Sequence, residues 1–214
     1  MFDYFVGMMQ SVVTFFYNIT ADLGFPNYGV AIILFTVVIK SLLFPLTAKQ
    51  VKSMKAMKKL GPQMKVVQEK YKDDKIAQQK AMTDLYKETG VNPLAGCLPL
   101  LLQMPILSGM FYALRNYKYV SHPGFLWIKN LSAVDHFHIL PILVVVTTYL
   151  LSRQGRLEAL SSAAGGEVIG LVMPLFVGYM TWHFPAGLGL YWVVSNLVQM
   201  VQQRLLQRKE VAGS

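Results

Sequence analysis

The sequence predicts an all-α integral membrane protein: five transmembrane helices, an N-terminal interfacial amphipathic helix and a cytoplasmic helical hairpin. Three observations predict it. Of 214 residues, 54% are hydrophobic and only 14% charged, against about 25% charge in soluble domains, and mean hydropathy is +0.40. Charge-poor stretches recur along the chain. The lysines crowd between the first two of them. This composition excludes a disordered chain, a disulfide-stapled secreted domain and a typical cytosolic enzyme. The net charge of +9 fits anionic lipid or nucleic acid at one surface. Cys97 is the single cysteine, so the redox compartment is unread.

Residues 1–24 form the amphipathic element. Phe2, Phe5, Val6, Met9, Val12, Val13, Phe16 and Ile19 recur at helical spacing, with Asp3, Gln10, Ser11, Thr14 and Asn18 mostly between them. No Lys or Arg precedes Lys40, so the positive region of a secretory signal is missing and the segment is expected to be retained.

Span one occupies residues 25–47, with its apolar stretch from Tyr28 to Thr47 interrupted by Lys40. Span two (91–117) is uncharged from Val91 to Leu114 and carries Pro93, Pro99 and Pro105. An external loop (118–136) leads to span three (137–153), a cytoplasmic loop (154–167), span four (168–184) and span five (185–204). Spans three and four are short: sixteen helical residues rise roughly 24 Å against a hydrocarbon core of about 30 Å. Either their ends extend or the bilayer thins. Phe184-Pro185-Ala186-Gly187 predicts a tight turn and a hairpin between the last two spans.

Residues 48–90 hold Lys49, Lys52, Lys55, Lys58, Lys59, Lys65, Lys70, Lys72, Lys75, Lys80 and Lys87, eleven of the twenty basic residues. The positive-inside rule places this segment in the cytoplasm, hence the N-terminus outside and the C-terminus inside. Arg153 and Arg156, and Arg204, Arg208 and Lys209 beside the basic tail 205–214, agree; Arg115, Lys118 and Lys129 dissent weakly. Val51, Met54, Met57 and Met64 predict one helix, kinked or broken at Gly61-Pro62. Asp73 or Asp74 caps a second, ending at Gly90. The candidate contacts for ribosome, nascent chain or anionic head groups are Lys52, Lys55, Lys58, Lys59, Lys65, Lys72, Lys75, Arg204, Arg208 and Lys209. A merely solvated face is the alternative.

Lys40 is the sharpest feature, because a mid-span charge costs about 2.5–3.5 kcal/mol on insertion scales. It either snorkels toward the cytoplasm or faces a water-filled cavity. Thr36 lies one turn away. Gln103 in span two, Thr148 and Ser152 in span three, and Trp192, Ser195, Asn196 and Gln199 in span five complete the candidate groove. Individually such residues often bond helix to helix. No acidic residue lies inside a span, so Lys40 lacks an internal counter-ion. His122, His136, His138 and His183 show no metal-ligand spacing, and no nucleophile elbow or phosphate loop occurs. No enzyme activity, metal, cofactor or specific DNA binding is expected.

Several motifs resemble the YidC/Oxa membrane protein insertases. They are Asn27-Tyr28-Gly29-Val30-Ala31-Ile32-Ile33 with Phe44-Pro45-Leu46-Thr47 and Gln50; Gly96-Cys97-Leu98-Pro99 with Gln103-Met104-Pro105-Ile106; Phe125-Leu126-Trp127-Ile128-Lys129-Asn130-Leu131-Ser132 with Ile139-Leu140-Pro141-Ile142; and Phe184-Pro185-Ala186-Gly187-Leu188 through Leu190-Tyr191-Trp192, Ser195 and Asn196. The large periplasmic domain of Gram-negative relatives is absent, which resembles the short, Gram-positive-type form. The resemblance implies a five-helix insertase of the bacterial plasma membrane. Its hydrophilic groove opens to cytoplasm and lipid and serves nascent membrane proteins, with the ribosome and, alone or jointly, the Sec translocon as partners. The family's first-span arginine falls on Lys40, keeping the charge without the planar fork. Its usual span-three glutamine falls on Ser152. The rival expectations are a small transporter or channel subunit with an anion path lined by Lys40, and a purely structural assembly factor.

Overall fold

The computed structural model describes residues 2–92, 98–115, 124–156 and 167–211. Eight α-helices are found among them: α1 Phe2–Asp22, α2 Tyr28–Leu42, α3 Phe44–Lys70, α4 Lys75–Thr89, α5 Leu98–Arg115, α6 Ile139–Leu151, α7 Glu167–Thr181 and α8 Ala186–Val211. A π-helical turn, Ser152–Arg156, prolongs α6. The described residues contain no strand beyond an isolated bridge between Phe125 and Ile128. Among them, no single helix is long and apolar enough to cross a membrane. The pair Tyr28–Leu42 and Phe44–Met57 meets that test jointly, bent by 61°.

That bend divides the apolar stretch read as one span. Asn27 starts α2, its Oδ1 accepting from the amides of Gly29 and Val30 at 2.8 and 3.2 Å. The helix stops at Leu43, and Pro45 occupies the first turn of α3, where its missing N–H breaks no helical bond. Thr47 therefore belongs to α3. Conversely, the Gly61-Pro62 break does not occur: α3 runs through both residues to Lys70.

The α3–α4 hairpin follows local chemistry. Asp74 caps α4 by accepting from Ile76 and Ala77, both at 3.0 Å, and Gly90 closes it in the left-handed region at φ 66°. Thr47, Gln50, Val51, Met57, Leu60 and Met64 form a buried stripe on α3, at spacings of one helix face. This stripe explains why α3 packs against α4, α8 and the π-turn instead of standing free. Tyr86 of α4 donates to Met64 Sδ at 3.8 Å, and burial raises its phenol above the ordinary range.

The apolar core lies at the opposite end, around the 124–138 loop. Val13, Tyr28, Ile32, Met110, Leu114, Leu131, Leu140, Val144 and Leu188 are essentially inaccessible. The face read on α1 as amphipathic packs onto α2 and α5. There Tyr17 stacks on Tyr28 with centroids 3.9 Å apart, and Gln10 donates to the Ala113 carbonyl at 3.2 Å. Its outer side keeps Tyr4, Met8 and Phe15 exposed.

The loop is held by Asp135, only 4% exposed. Its Oδ1 accepts from the Trp127 indole and the Phe137 amide, each at 3.2 Å, and its Oδ2 from Leu140 at 2.7 Å, the start of α6. The main chain does the same for α8: Ala186 and Gly187 donate to the carbonyls of Ala133 and Leu131 at 2.7 and 2.9 Å, so two first-turn donors find acceptors.

The turn between α7 and α8 is present, but a closely packed hairpin is not. α7 packs principally on α6, whereas α8 packs on α2 and α6 alike. Small residues decide this. Gly178 lets α7 approach Val145 where a Cβ would collide, and Gly189 of α8 leaves room for Leu140. Leu171, Val172, Leu175, Phe176 and Tyr179 of α7 remain exposed, an apolar face suited to lipid.

Candidate functional site: a polar recess at Lys40

Beneath the α2–α3 bend, α2, α3, α5 and α8 line a small recess of about 30 Å³. Its polar lining is Lys40, Thr47, Gln50, Gln103, Tyr191 and Gln199; Ile39, Leu43, Leu46 and Ile106 complete it. Each polar group follows from helix register. Lys40 is in the last turn of α2, where an ammonium complements the helix dipole. Gln103 lies in the first half of α5, and Tyr191, Ser195 and Gln199 recur every fourth residue on one face of α8.

These side chains form a relay. Lys40 Nζ donates to Gln103 Oε1 at 3.4 Å, a long bond, and Gln103 Nε2 donates to the Tyr191 hydroxyl at 2.7 Å. Ser195 hydrogen-bonds the same hydroxyl. Tyr191 is fully buried. Lys40 is half-buried, with its ammonium turned toward α5 within the recess. The ammonium thus sits among neutral dipoles of the recess lining.

The other candidates go elsewhere. Thr36 is buried and returns its hydroxyl to the Ile32 carbonyl at 2.6 Å. Thr148 accepts from Asn196 Nδ2 at 2.9 Å, and Asn196 also bonds Thr147 at 3.1 Å, a seam between α6 and α8. Ser152 donates to Tyr149 at 2.6 Å. Trp192 packs against the apolar core. Lys40, Gln103 and Gln199 therefore line the recess, and Ser195 reaches it through Tyr191.

Of the candidate basic contacts, Lys52, Lys59, Lys65, Lys72, Lys75, Arg204 and Arg208 are exposed, and Lys55 is partly so; the side chains of Lys58 and Lys209 lie outside the described residues. Sequence reasoning missed Tyr191, Thr47 and Gln50. Gln50, sharing a helix face with Thr47, Val51 and Met57, was the available signal, since a neutral amide on the apolar side of an otherwise basic helix marks a buried polar group. Among the described residues no cluster of three or more His, Cys, Asp or Glu could hold a metal ion.

Comparison with known proteins gives the family. The family model described as "60Kd inner membrane protein" matches residues 18–212. Membrane protein insertase YidC 2 of Bacillus anthracis is 37% identical over 219 residues, covering 99% of this chain and 83% of the relative. Membrane protein insertase YidC of Haemophilus influenzae (strain PittEE) is 41% identical over 183 residues, 85% of this chain but 34% of that protein. The chain thus spans most of the first relative and about a third of the second. The solved structure "Active YidC insertase crystal structure with the first transmembrane domain resolved" aligns with TM-score 0.69 and 33% identity, over 93% of this chain and 45% of that one. Family match, identity and fold agree: the chain belongs to the 60Kd inner membrane protein family, that of the YidC membrane protein insertases.

Proposed function

We propose that this protein moves hydrophobic segments of nascent membrane proteins into the bacterial plasma membrane, using the Lys40 recess to lower the cost of transferring their polar flanks. The observation carrying this reading is the Lys40 ammonium turned into a recess whose other polar groups are neutral. An unpaired main-chain amide in hydrocarbon costs several kcal/mol. A polar recess reduces that cost while the guest's apolar segment slides into lipid and completes its own helix. A guest tail with acidic residues is attracted to Lys40, and a membrane potential adds about 2.3 kcal/mol per charge per 100 mV.

In this reading α2 with the base of α3, α5, α6 with its π-turn, α7 and α8 are the five spans, and the bilayer thins around the short α6 and α7. The α3–α4 hairpin and the C-terminus face the cytoplasm, and α1 lies at the outer interface. The exposed lysines, with Arg204 and Arg208, meet anionic head groups and the ribosome, each worth about 1 kcal/mol near an anionic surface. The Sec translocon is an additional partner.

Depletion–rescue with Lys40→Arg, Lys40→Ala and Lys40→Glu tests the charge. Arg is expected to support insertion, Ala to reduce it and Glu to abolish it for clients with acidic tails. Glu supporting insertion as well as Arg does would refute this mechanism.

A further inference from the structure

Away from the Lys40 recess, α2 and α8 leave an open groove of about 580 Å³ between them. Val37 and Ser41 of α2, Phe44 of α3 and Leu197, Val201 and Leu205 of α8 line it. The three α8 residues are each about half exposed and lie on the side of the helix opposite Gln199. The polar side chains of the lining donate to main chain, Ser41 to the Val37 carbonyl at 2.7 Å and Gln202 to the Lys40 carbonyl at 2.8 Å. What they leave on the wall is mainly hydrocarbon.

The groove has a charged end. α2 and α8 both start at the 124–138 loop and run side by side toward the α2–α3 bend. There α2 stops, while α8 continues to Val211. Leu197, Val201, Arg204, Leu205 and Arg208 fall within about 100° of arc on α8, so the groove-lining face runs on into two exposed arginines. Arg204 and Arg208 stand roughly 10 and 16 Å along the helix from Leu197, and one leaflet of hydrocarbon is about 15 Å deep. No acidic residue occurs from Tyr28 to Gln68 or from Ala186 to Lys209, so neither wall repels an anion. An apolar track of one leaflet's depth that ends in two guanidiniums matches a phospholipid, with the chain along the track and the phosphate in the planar forks. A zwitterionic head group carries its own cation beside the phosphate, so the excess of positive charge selects a lipid of net negative charge.

We propose that the α2–α8 groove binds one anionic phospholipid of the inner leaflet, its acyl chain against Val37, Phe44, Val201 and Leu205 and its phosphate at Arg204 and Arg208. This rests on the membrane placement in the insertase reading above and deepens it: within the basic surface that meets head groups, two arginines retain a single lipid. Lying across Phe44 and Leu205, that lipid braces the bend from the side opposite Lys40.

The test uses the full-length protein in phosphatidylcholine vesicles, with Phe44→Trp as a reporter in the groove and the parent protein, carrying Trp127, Trp182 and Trp192, as its baseline. A minor fraction of lipid with brominated chains, either phosphatidylglycerol or phosphatidylcholine, quenches tryptophan on contact. The added indole is expected to prefer brominated phosphatidylglycerol roughly five- to thirtyfold, the worth of one or two basic residues at an anionic surface. Arg204→Gln combined with Arg208→Gln is expected to bring that preference close to unity while quenching by phosphatidylcholine persists. Leu171→Trp, on the exposed apolar face of α7, is the control for anionic lipid gathered loosely around a cationic protein, and is expected to show little preference. Equal preference at positions 44 and 171, a preference that survives the double arginine variant, or an indole at 44 that neither lipid quenches overturns the proposal. Val201→Trp serves as the reporter should Phe44→Trp fail to fold. No client is present, so the result is independent of Lys40: normal insertion by Lys40→Glu sinks the charge mechanism and leaves the lipid site standing.

Discussion

The side-chain amide of Gln202 donates to the main-chain carbonyl of Lys40 at 2.8 Å. Carbonyls in the last turn of a helix lack the amides that would continue it, and here the Ile39 carbonyl accepts from Leu43 at 3.0 Å. Gln202 supplies a donor to the Lys40 carbonyl, and so ties α8 to the bend. Replacing it with alanine is expected to cost about 1 kcal/mol and to loosen the α2–α3 angle. Distances between spin labels on α2 and α3 check this: the distribution broadens in Gln202→Ala, and an unchanged one would show that the bend is held by Pro45 alone.

Gln103 touches both Lys40 and Tyr191. Gln103→Glu puts a carboxylate beside the ammonium and seals an ion pair. Insertion of acidic-tailed clients is expected to drop roughly tenfold, as about 1.4 kcal/mol of added attraction competes with the client. Melting temperature is expected not to fall. Client crosslinking from position 103 measures the loss of occupancy directly.

Asp135 satisfies three donors from one buried carboxylate. Asp135→Ala strands the Trp127 indole and two amides, one of them Leu140 at the start of α6. A destabilisation of about 2–3 kcal/mol is expected, with Asp135→Asn intermediate. Unfolding in detergent reads the ranking, and equal stability of all three forms would mean that solvent reaches these donors.

Gly178 faces Val145 with no room for a side chain. Gly178→Ala is expected to push α7 from α6 at about 1–3 kcal/mol. Val145→Ala opens the matching space, so the double variant recovers most of that loss. Recovery in a double-mutant cycle distinguishes close packing from a loss of glycine flexibility.

Asn196 bonds two threonines across the α6–α8 seam. Asn196→Leu is expected to lower stability by about 0.6–1.7 kcal/mol per bond. Client crosslinking at Lys40 is expected to stay unchanged, because Asn196 is absent from the recess lining.

What the sequence made legible was whatever local chemistry settles. Asp74 and Gly90 announce a helix start and stop within four residues of themselves, and the structure places both as caps. Charge-poor stretches marked where apolar helices lie. The break at Leu43 was obscured because Leu42-Leu43-Phe44 continues the apolar run, leaving Pro45 as the sole sign. Tyr191 was overlooked because an aromatic in an apolar helix reads as core, and its hydroxyl acquires meaning only when α5 brings Gln103 to it. Thr36 and Ser152 show the converse. Their hydroxyls serve their own helices, an option every serine and threonine has and no spacing reveals.

The carbonyls that cap α8 belong to Leu131 and Ala133, made some fifty residues before the amides they receive. During synthesis from the N-terminus, the residues that carry these acceptors are therefore made before the final helix. Its docking is a templated closing step: the first turn of the last helix meets acceptors carried by a loop made earlier.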